Sequence, residues 1–370
     1  MKGRWRSRVA SLLVLGTSLL VAALLGEGVL RLTMKDRINL FPRFHDAVTY
    51  GDFTIRRYRP GLSFWHTSID GRWHFTINNR GFRDSGDYEY EKPEGTLRIL
   101  ALGDSHTSGY EVRQDYSYPE VLEQVLSSHG ISAQTINSGI SGFSTAEQLV
   151  FLENEGIKYS PDFVIVGFYA NDFEDNIKAN IFRLEEGKLR VLNTVHTPGI
   201  RIHNLVTEAS LLRWLSQHSY LYSFAFNTAY EVAKLVLLSR ARAEAETEVA
   251  IATTDRVGSY EQELGVALLQ RMYNFCKANG ARLLIVDIPQ VTPPGKTAVL
   301  SSVPEPLRRE FESSSDAFLH SSEVFIEFAN DPGRIHIPHG HQHISEPAHA
   351  AIARSSANVI VQALDRAESP

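Results

Sequence analysis

The sequence predicts an α/β protein, a doubly wound domain with a parallel sheet, carried behind an N-terminal transmembrane helix. Two patterns carry that prediction. Strand and helix signals alternate with short loops from Thr96 to Tyr169 and again from Tyr260 onward, which is how a parallel sheet covered on both faces is written. Ahead of them an uncharged apolar run, Val9–Gly26, follows the basic Lys2, Arg4, Arg6 and Arg8. The composition agrees, since 43% apolar and 22% charged residues over 370 describe an ordinary globular chain. A net charge of -6 with no long basic run excludes nucleic acid as the main partner.

Val9–Gly26 is long enough to cross a bilayer core as a helix. A cleavable signal peptide would show a shorter apolar region and a small-x-small site leading into polar sequence. Here Ala22-Ala23 runs into Leu24-Leu25 and an amphipathic Glu27–Leu32, so residues 1–32 read as an uncleaved signal anchor. The basic flank then stays in the cytoplasm and places the body on the periplasmic or extracellular side of a bacterial cytoplasmic membrane.

Residues 33–95 form a juxtamembrane lead-in. Within it, Asp70-Gly71 lies between two aromatic-rich runs of Ser63–Ile77, a β-hairpin signal. Asn78–Asp84 is a polar turn and Glu89–Gly95 an exposed linker.

The main domain spans 96–368. Leu97–Leu102 is a buried strand ending in the turn Gly103-Asp104-Ser105. Ser117–Glu120 is a capping box for a helix to about His129, and Gln134–Asn137 a short strand. Ser144–Glu147 caps a helix to about Tyr159, and Phe163–Tyr169 is a continuous apolar strand ending at Ala170-Asn171-Asp172. An insertion at about 175–259 interrupts the rhythm with an aromatic-rich helical segment, Ser210–Leu238. Arg213, Gln217, His218, Glu231 and Lys234 in that segment argue against a second span and for an amphipathic helix packed on the domain. Tyr260–Asn279 is a helix, Arg282–Ile288 a strand, Glu305–Leu319 a helix and Val324–Phe328 a short strand. Ser345 caps a last helix, with Pro347 in its first turn, running to about Ala367. The single cysteine, Cys276, has no partner for an intrachain disulfide and reads as core.

Ligands of open α/β sheets bind at the carboxyl ends of the strands. That edge carries Ser105 after the first strand, Gly142 after the second and Asn171 after the third, with His343 in the loop before the final helix. Serine needs a base to take its proton, and a tetrahedral intermediate needs donors aimed at its oxyanion. A glycine N–H and an asparagine amide are such donors.

On these residues the chain resembles the SGNH, or GDSL-type, serine hydrolases. The matching blocks are Gly103–Gly109, Asn137–Gly142, Gly167–Asp172 and His343–His349. The N-terminal anchor and Asn79–Asp84 resemble the membrane-tethered bacterial branch. The resemblance implies a flavodoxin-like three-layer α/β/α sandwich, with Ser105 as nucleophile and His343 as base. The Ser105 and Gly142 N–H groups and the Asn171 side chain would form the oxyanion hole. It also implies an acyl-ester substrate on cell-surface carbohydrate or lipid, and no cofactor.

One departure stands out. The family usually places an aspartate two or three residues before the histidine, where this chain has Gly340 and His341. Three readings stay open: a Ser105–His343 dyad oriented by a backbone carbonyl or His341; a carboxylate from elsewhere, such as Asp331 or Glu346; or lost catalysis. The last makes the alternative function an inactive SGNH-like domain that binds or scaffolds polysaccharide-export machinery. The crowded His336, His339, His341 and His343 invite a metal reading, but no further ligand stands at a convincing spacing, and no metal is expected. His349 is expected to pack or cap within the last helix.

Overall fold

In the computed structural model of the chain, the described residues are 2–42, 44–200, 204–205, 208–230, 232, 259–293, 298–339 and 342–368. Five parallel strands build the central sheet: β5 (Leu97–Gly103), β6 (Ala133–Asn137), β7 (Phe163–Phe168), β10 (Arg282–Asp287) and β11 (Ala317–Leu319). Their order is β6-β5-β7-β10-β11. The chain winds outward from β5 to β6, then jumps back across β5 to β7 and continues the other way. This is the flavodoxin-like order, and the direction reverses between β5 and β7, where such sheets open a ligand crevice.

Side-chain alternation along the strands divides the core into two layers. Ile99 and Ala101 of β5 face α3 (Tyr118–Ser128) and the last helix α10 (Glu346–Glu368), against Leu122, Leu126 and Ile352. Leu100 and Leu102 face the opposite way, toward Leu149 and Leu152 of α4 (Thr145–Asn154) and Leu268 and Met272 of α7 (Tyr260–Ala278). Cys276 is fully buried in that second layer, where burial pushes its thiol up to about 12. Such a thiol is inert packing.

The lead-in is folded rather than extended. It forms two antiparallel hairpins, β1 (His45–Tyr50) with β2 (Phe53–Tyr58) and β3 (Ser63–Ser68) with β4 (Gly71–Thr76). The second is the hairpin expected at Asp70-Gly71; the first, not expected, turns at Gly51-Asp52, where Gly51 has φ +57°. Phe44, Tyr58, Phe64 and Phe75 join the same core layer as α4, so this segment shares the main domain's interior.

The α1 helix spans Lys2–Thr33, and its Ser7–Thr33 portion is long and apolar enough to cross a membrane. Leu12, Leu13, Leu19 and Leu25 project from it unburied.

Several local expectations change. Glu305–Leu319 is not one helix: it holds α8 (Arg308–Ser313) and then β11, while the strand expected at Val324–Phe328 is the end of a short helix, α9 (Ser321–Val324), and a 3-10 turn. An apolar run that short fits either structure, and here β11 completes the sheet beside β10. Ser117 precedes α3 but makes no capping bond. Instead the His349 ring accepts from the Tyr118 N–H at 3.0 Å, so this histidine caps α3 from α10 rather than acting within its own helix. Burial holds its imidazole down to about 3. Ser345 stands just before α10, its carbonyl accepting from the His349 N–H at 2.9 Å while its hydroxyl donates to Arg334 O. Ser144 and Glu147 do form the expected reciprocal box. Within 175–259 the expected helical signal appears as α6 (Ser210–His218) and helical residues 220–230, after α5 (Asn171–Ala179) and an unforeseen hairpin, β8 (Phe182–Glu185) with β9 (Lys188–Val191). The remainder of the Ser210–Leu238 reading, and the charged run after it, fall largely outside the described residues.

Candidate active site

The residues singled out at the sheet's carboxyl edge converge on one cavity of about 460 Å³, lined among others by Ser105, Gly142, Asn171 and His343. Ser105 opens α2 (Ser105–Ser108), immediately beyond β5. The turn that delivers it is tight: a Cβ on Gly103 would stand 2.0 Å from Thr107 Oγ1, so only glycine fits there. Asp104 caps the turn by accepting from the His106 N–H at 2.8 Å. Burial pushes the Asp104 carboxyl up to about 7, the His106 N–H opposes the rise, and nearby Asp175 adds to it.

His343 Nε2 lies 2.7 Å from Ser105 Oγ. That is within proton-transfer range for a base and a nucleophile. On the other side of the ring, His343 Nδ1 stands 3.6 Å from Glu111 Oε2, and the Glu111 side chain is wholly buried. This is ion-pair range, a small rotation longer than a hydrogen bond, as catalytic contacts often are before substrate arrives. The carboxylate that sequence reasoning looked for near the histidine therefore comes from the loop just after the serine.

Glu111 is held firmly. Its φ is +63°, a left-handed backbone conformation uncommon for a side-chain-bearing residue. Its other oxygen, Oε1, is 3.2 Å from His66 Nε2, and the His66 side chain is also wholly buried. His66 belongs to β3, and its ring stacks on Trp73 of β4. The loop itself is gripped by the buried Arg83, whose guanidinium donates to Ser108 O, Gly109 O and Val112 O and lies on the Phe75 ring. Burial lowers Arg83 to about 10.

The lead-in also braces the loop that carries Gly142. Tyr58 OH accepts from the Ser141 N–H at 2.7 Å. Arg56 donates to Gly142 O and pairs with the buried Glu147 at 3.0 Å. Gly142 has φ +79°, so a side chain there would strain the loop. Asn171 Nδ2 donates to Asp175 Oδ2 at 2.9 Å, fixing which way the amide faces; a primary amide has a second N–H.

Of the two carboxylates expected as candidates for orienting the histidine, one is engaged elsewhere and the other faces solvent. Glu346, in the first turn of α10, accepts a two-point contact from Arg113 at 2.8 and 2.6 Å. Asp331 is exposed at the start of a 3-10 turn. His341 lies outside the described residues. The other loop histidines diverge: His336 Nε2 reaches Pro289 O and His339 pairs with Asp70. Among the described residues no group of three His, Cys, Asp or Glu side chains is placed to hold a metal ion.

Sequence reasoning missed Glu111, His66 and Arg83. The only local signal for Glu111 was an acidic residue between Tyr110 and Val112, two residues after Gly109. His66 and Arg83 carried no signal at all, since only the packing of the lead-in brings them to the site.

A family model described as GDSL-like lipase/acylhydrolase matches residues 101–313 of the chain, a stretch that contains Ser105, Gly142 and Asn171 and ends before His343. An arylesterase of Vibrio mimicus is 36% identical over 79 residues, which are 21% of this chain and 40% of that protein. Among solved structures, TesA shares 11% identity with a TM-score of 0.37, covering 70% of this chain and 97% of its own. The esterase EstA from Pseudoalteromonas sp. shares 14% identity with a TM-score of 0.38, covering 74% of this chain and 100% of its own.

Proposed function

The chain belongs to the GDSL-like lipase/acylhydrolase family, and from that premise we propose that it is a serine esterase working through Ser105, His343 and Glu111. The observation that carries the proposal is the line of contacts Ser105 Oγ to His343 Nε2 at 2.7 Å and His343 Nδ1 to Glu111 Oε2 at 3.6 Å.

In this reading Ser105 Oγ attacks the ester carbonyl while His343 Nε2 takes its proton. Glu111 stabilises the imidazolium that results and keeps the ring in one orientation. The carbonyl oxygen becomes an oxyanion facing the Ser105 and Gly142 N–H groups and the Asn171 amide. Collapse expels the alcohol, which leaves with the proton from His343, and an acyl-enzyme remains. Water, deprotonated by His343, then attacks the acyl carbon; the serine leaves with that proton and a carboxylic acid is released. His66 holds the second oxygen of Glu111, so the carboxylate keeps its aim through the cycle.

The alternative, an inactive scaffold, drew its force from the missing aspartate, and a buried glutamate beside the histidine removes that motive. The proposed setting is the outer face of a bacterial cytoplasmic membrane, with α1 as anchor, and the proposed substrates are acyl esters of cell-surface carbohydrate or lipid. The test is hydrolysis of p-nitrophenyl acetate by the purified chain. Ser105→Ala should abolish turnover without changing the melting temperature; undiminished turnover in that variant contradicts the proposal.

A further inference from the structure

The end of α1 is built into the domain. Glu27 accepts from Ser219 Oγ at 2.8 Å and from the backbone N–H groups of Tyr220 and Leu221 at 3.1 and 2.9 Å. It thereby caps the helical stretch 220–230. Arg31 donates to Glu27 at 2.7 Å and to His218 O at 2.5 Å, and its guanidinium lies 5.1 Å from the centre of the Tyr220 ring. Glu27 is the first charged residue after the uncharged run of α1, so this clasp falls where a membrane-spanning α1 would leave the hydrocarbon.

From the clasp, helical residues 220–230 lead to the cavity, where Tyr230 is part of the wall. At 1.5 Å per residue, Tyr230 lies about 15 Å along that helix from Tyr220. The same cavity is lined by Phe41 and Phe44, shortly after α1 ends at Thr33. Beside the clasp, α6 exposes Leu211 and Trp214, 67% and 55% exposed, and the Trp214 ring stacks on His218, whose carbonyl Arg31 holds. An exposed tryptophan, an arginine and a tyrosine grouped at the end of an apolar helix have the character of a membrane–water interface.

We infer that the cavity is held at the bilayer surface and takes its ester from the headgroup of a lipid in the same membrane, with Leu211 and Trp214 resting in the interface. The inference builds on the esterase reading above and adds the substrate's place and class. The ester carbonyl must reach a cavity whose wall is no more than about 15 Å above the clasp. That height suits a group on a lipid's polar headgroup, whereas the hydrocarbon-level ester linkages of that lipid lie deeper.

The experiment uses the full chain reconstituted in phosphatidylcholine vesicles. One probe is acetylated umbelliferone in solution; the other is the same acetylated dye fixed to a lipid headgroup, placed either in the enzyme's own vesicles or in separate ones. The expected result is turnover of the lipid-borne probe in the same vesicles and at least tenfold less in separate vesicles. Leu211→Ser with Trp214→Ser, and separately Glu27→Ala with Arg31→Ala, should lower the ratio of lipid-borne to soluble turnover at least tenfold. In a second readout, lipids brominated near the headgroup should quench a fluorescence component that Trp214→Phe removes. Equal turnover in same and separate vesicles, an unchanged ratio in both variants, or no quenching assigned to Trp214 would overturn the inference while soluble, Ser105-dependent turnover left the esterase reading standing. Absence of Ser105-dependent turnover of either probe would overturn both.

Discussion

Replacing Glu111 by glutamine keeps the size of a wholly buried side chain and removes its charge. In the reaction His343 becomes an imidazolium whose Nδ1 is 3.6 Å from Glu111 Oε2. Two unit charges at about that distance attract by roughly 4–5 kcal/mol at an effective dielectric constant of about 20. Since about 1.4 kcal/mol is a factor of ten in rate, Glu111→Gln should lower kcat for p-nitrophenyl acetate by about three powers of ten. Glutamine can also donate to Nδ1 and favour the wrong tautomer, which acts in the same direction. The assay is initial-rate hydrolysis from pH 5 to 9, with melting temperatures to show that the variant is folded. KM should change little, because Glu111 does not face the substrate. Glu346→Gln and Asp331→Asn, measured alongside, should stay within a few-fold of the parent. A folded Glu111→Gln variant with kcat within fivefold of the parent would refute the reasoning, and a large loss in Glu346→Gln would redirect it.

Other outcomes follow from neighbouring contacts. His66→Phe removes a hydrogen bond to a buried carboxylate, a contact of about 1.5–3 kcal/mol; kcat should fall about 10- to 100-fold, and His66→Gln should recover part of it. Asn171→Ala should lower kcat by about 10²-fold with little effect on KM, the behaviour of a donor that serves the oxyanion. Stability in thermal unfolding scans should fall from about pH 5 to pH 9. Burial raises Asp84, Asp104 and Glu120 to about 6, 7 and 8. Their protonated forms favour the fold, a contribution present below the unfolded carboxylate range and lost as pH rises through those values. Burial lowers His336 and His349 to about 4 and 3. Their contribution is present above the unfolded histidine value and lost as pH falls below it. A melting temperature that climbed steadily from pH 5 to 9 would contradict this balance.

Much of the sheet was legible because its signals are local. Phe163–Phe168 is a continuous apolar run and Leu97–Leu102 one broken only by Arg98, and short loops with helical spacing between them leave a parallel arrangement as the economical solution. The glycine-bounded turns at Ser105 and Gly142 were legible for the same reason, since a backbone constraint is written in the residue that meets it. Glu111 was not, because what makes it fit for its place is a φ of +63° and complete burial. Neither quantity has a residue-level pattern. His66 was hidden for a second reason: the sequence marked its hairpin, but only tertiary packing brings that hairpin against the site. The β11 error has a third cause, because Ala317–Leu319 is too short for periodicity to separate strand from helix, and only pairing with β10 decides it.

The most direct test of the central claim is labelling with a fluorophosphonate, which reacts only with a serine that has been activated as a nucleophile. Peptide mass spectrometry of the labelled chain should place the phosphonyl group on Ser105. Labelling should disappear in Ser105→Ala, fall sharply in His343→Ala, and slow by orders of magnitude in Glu111→Gln. A folded chain that takes no label, or that takes it at another residue with Ser105 untouched, would contradict the account.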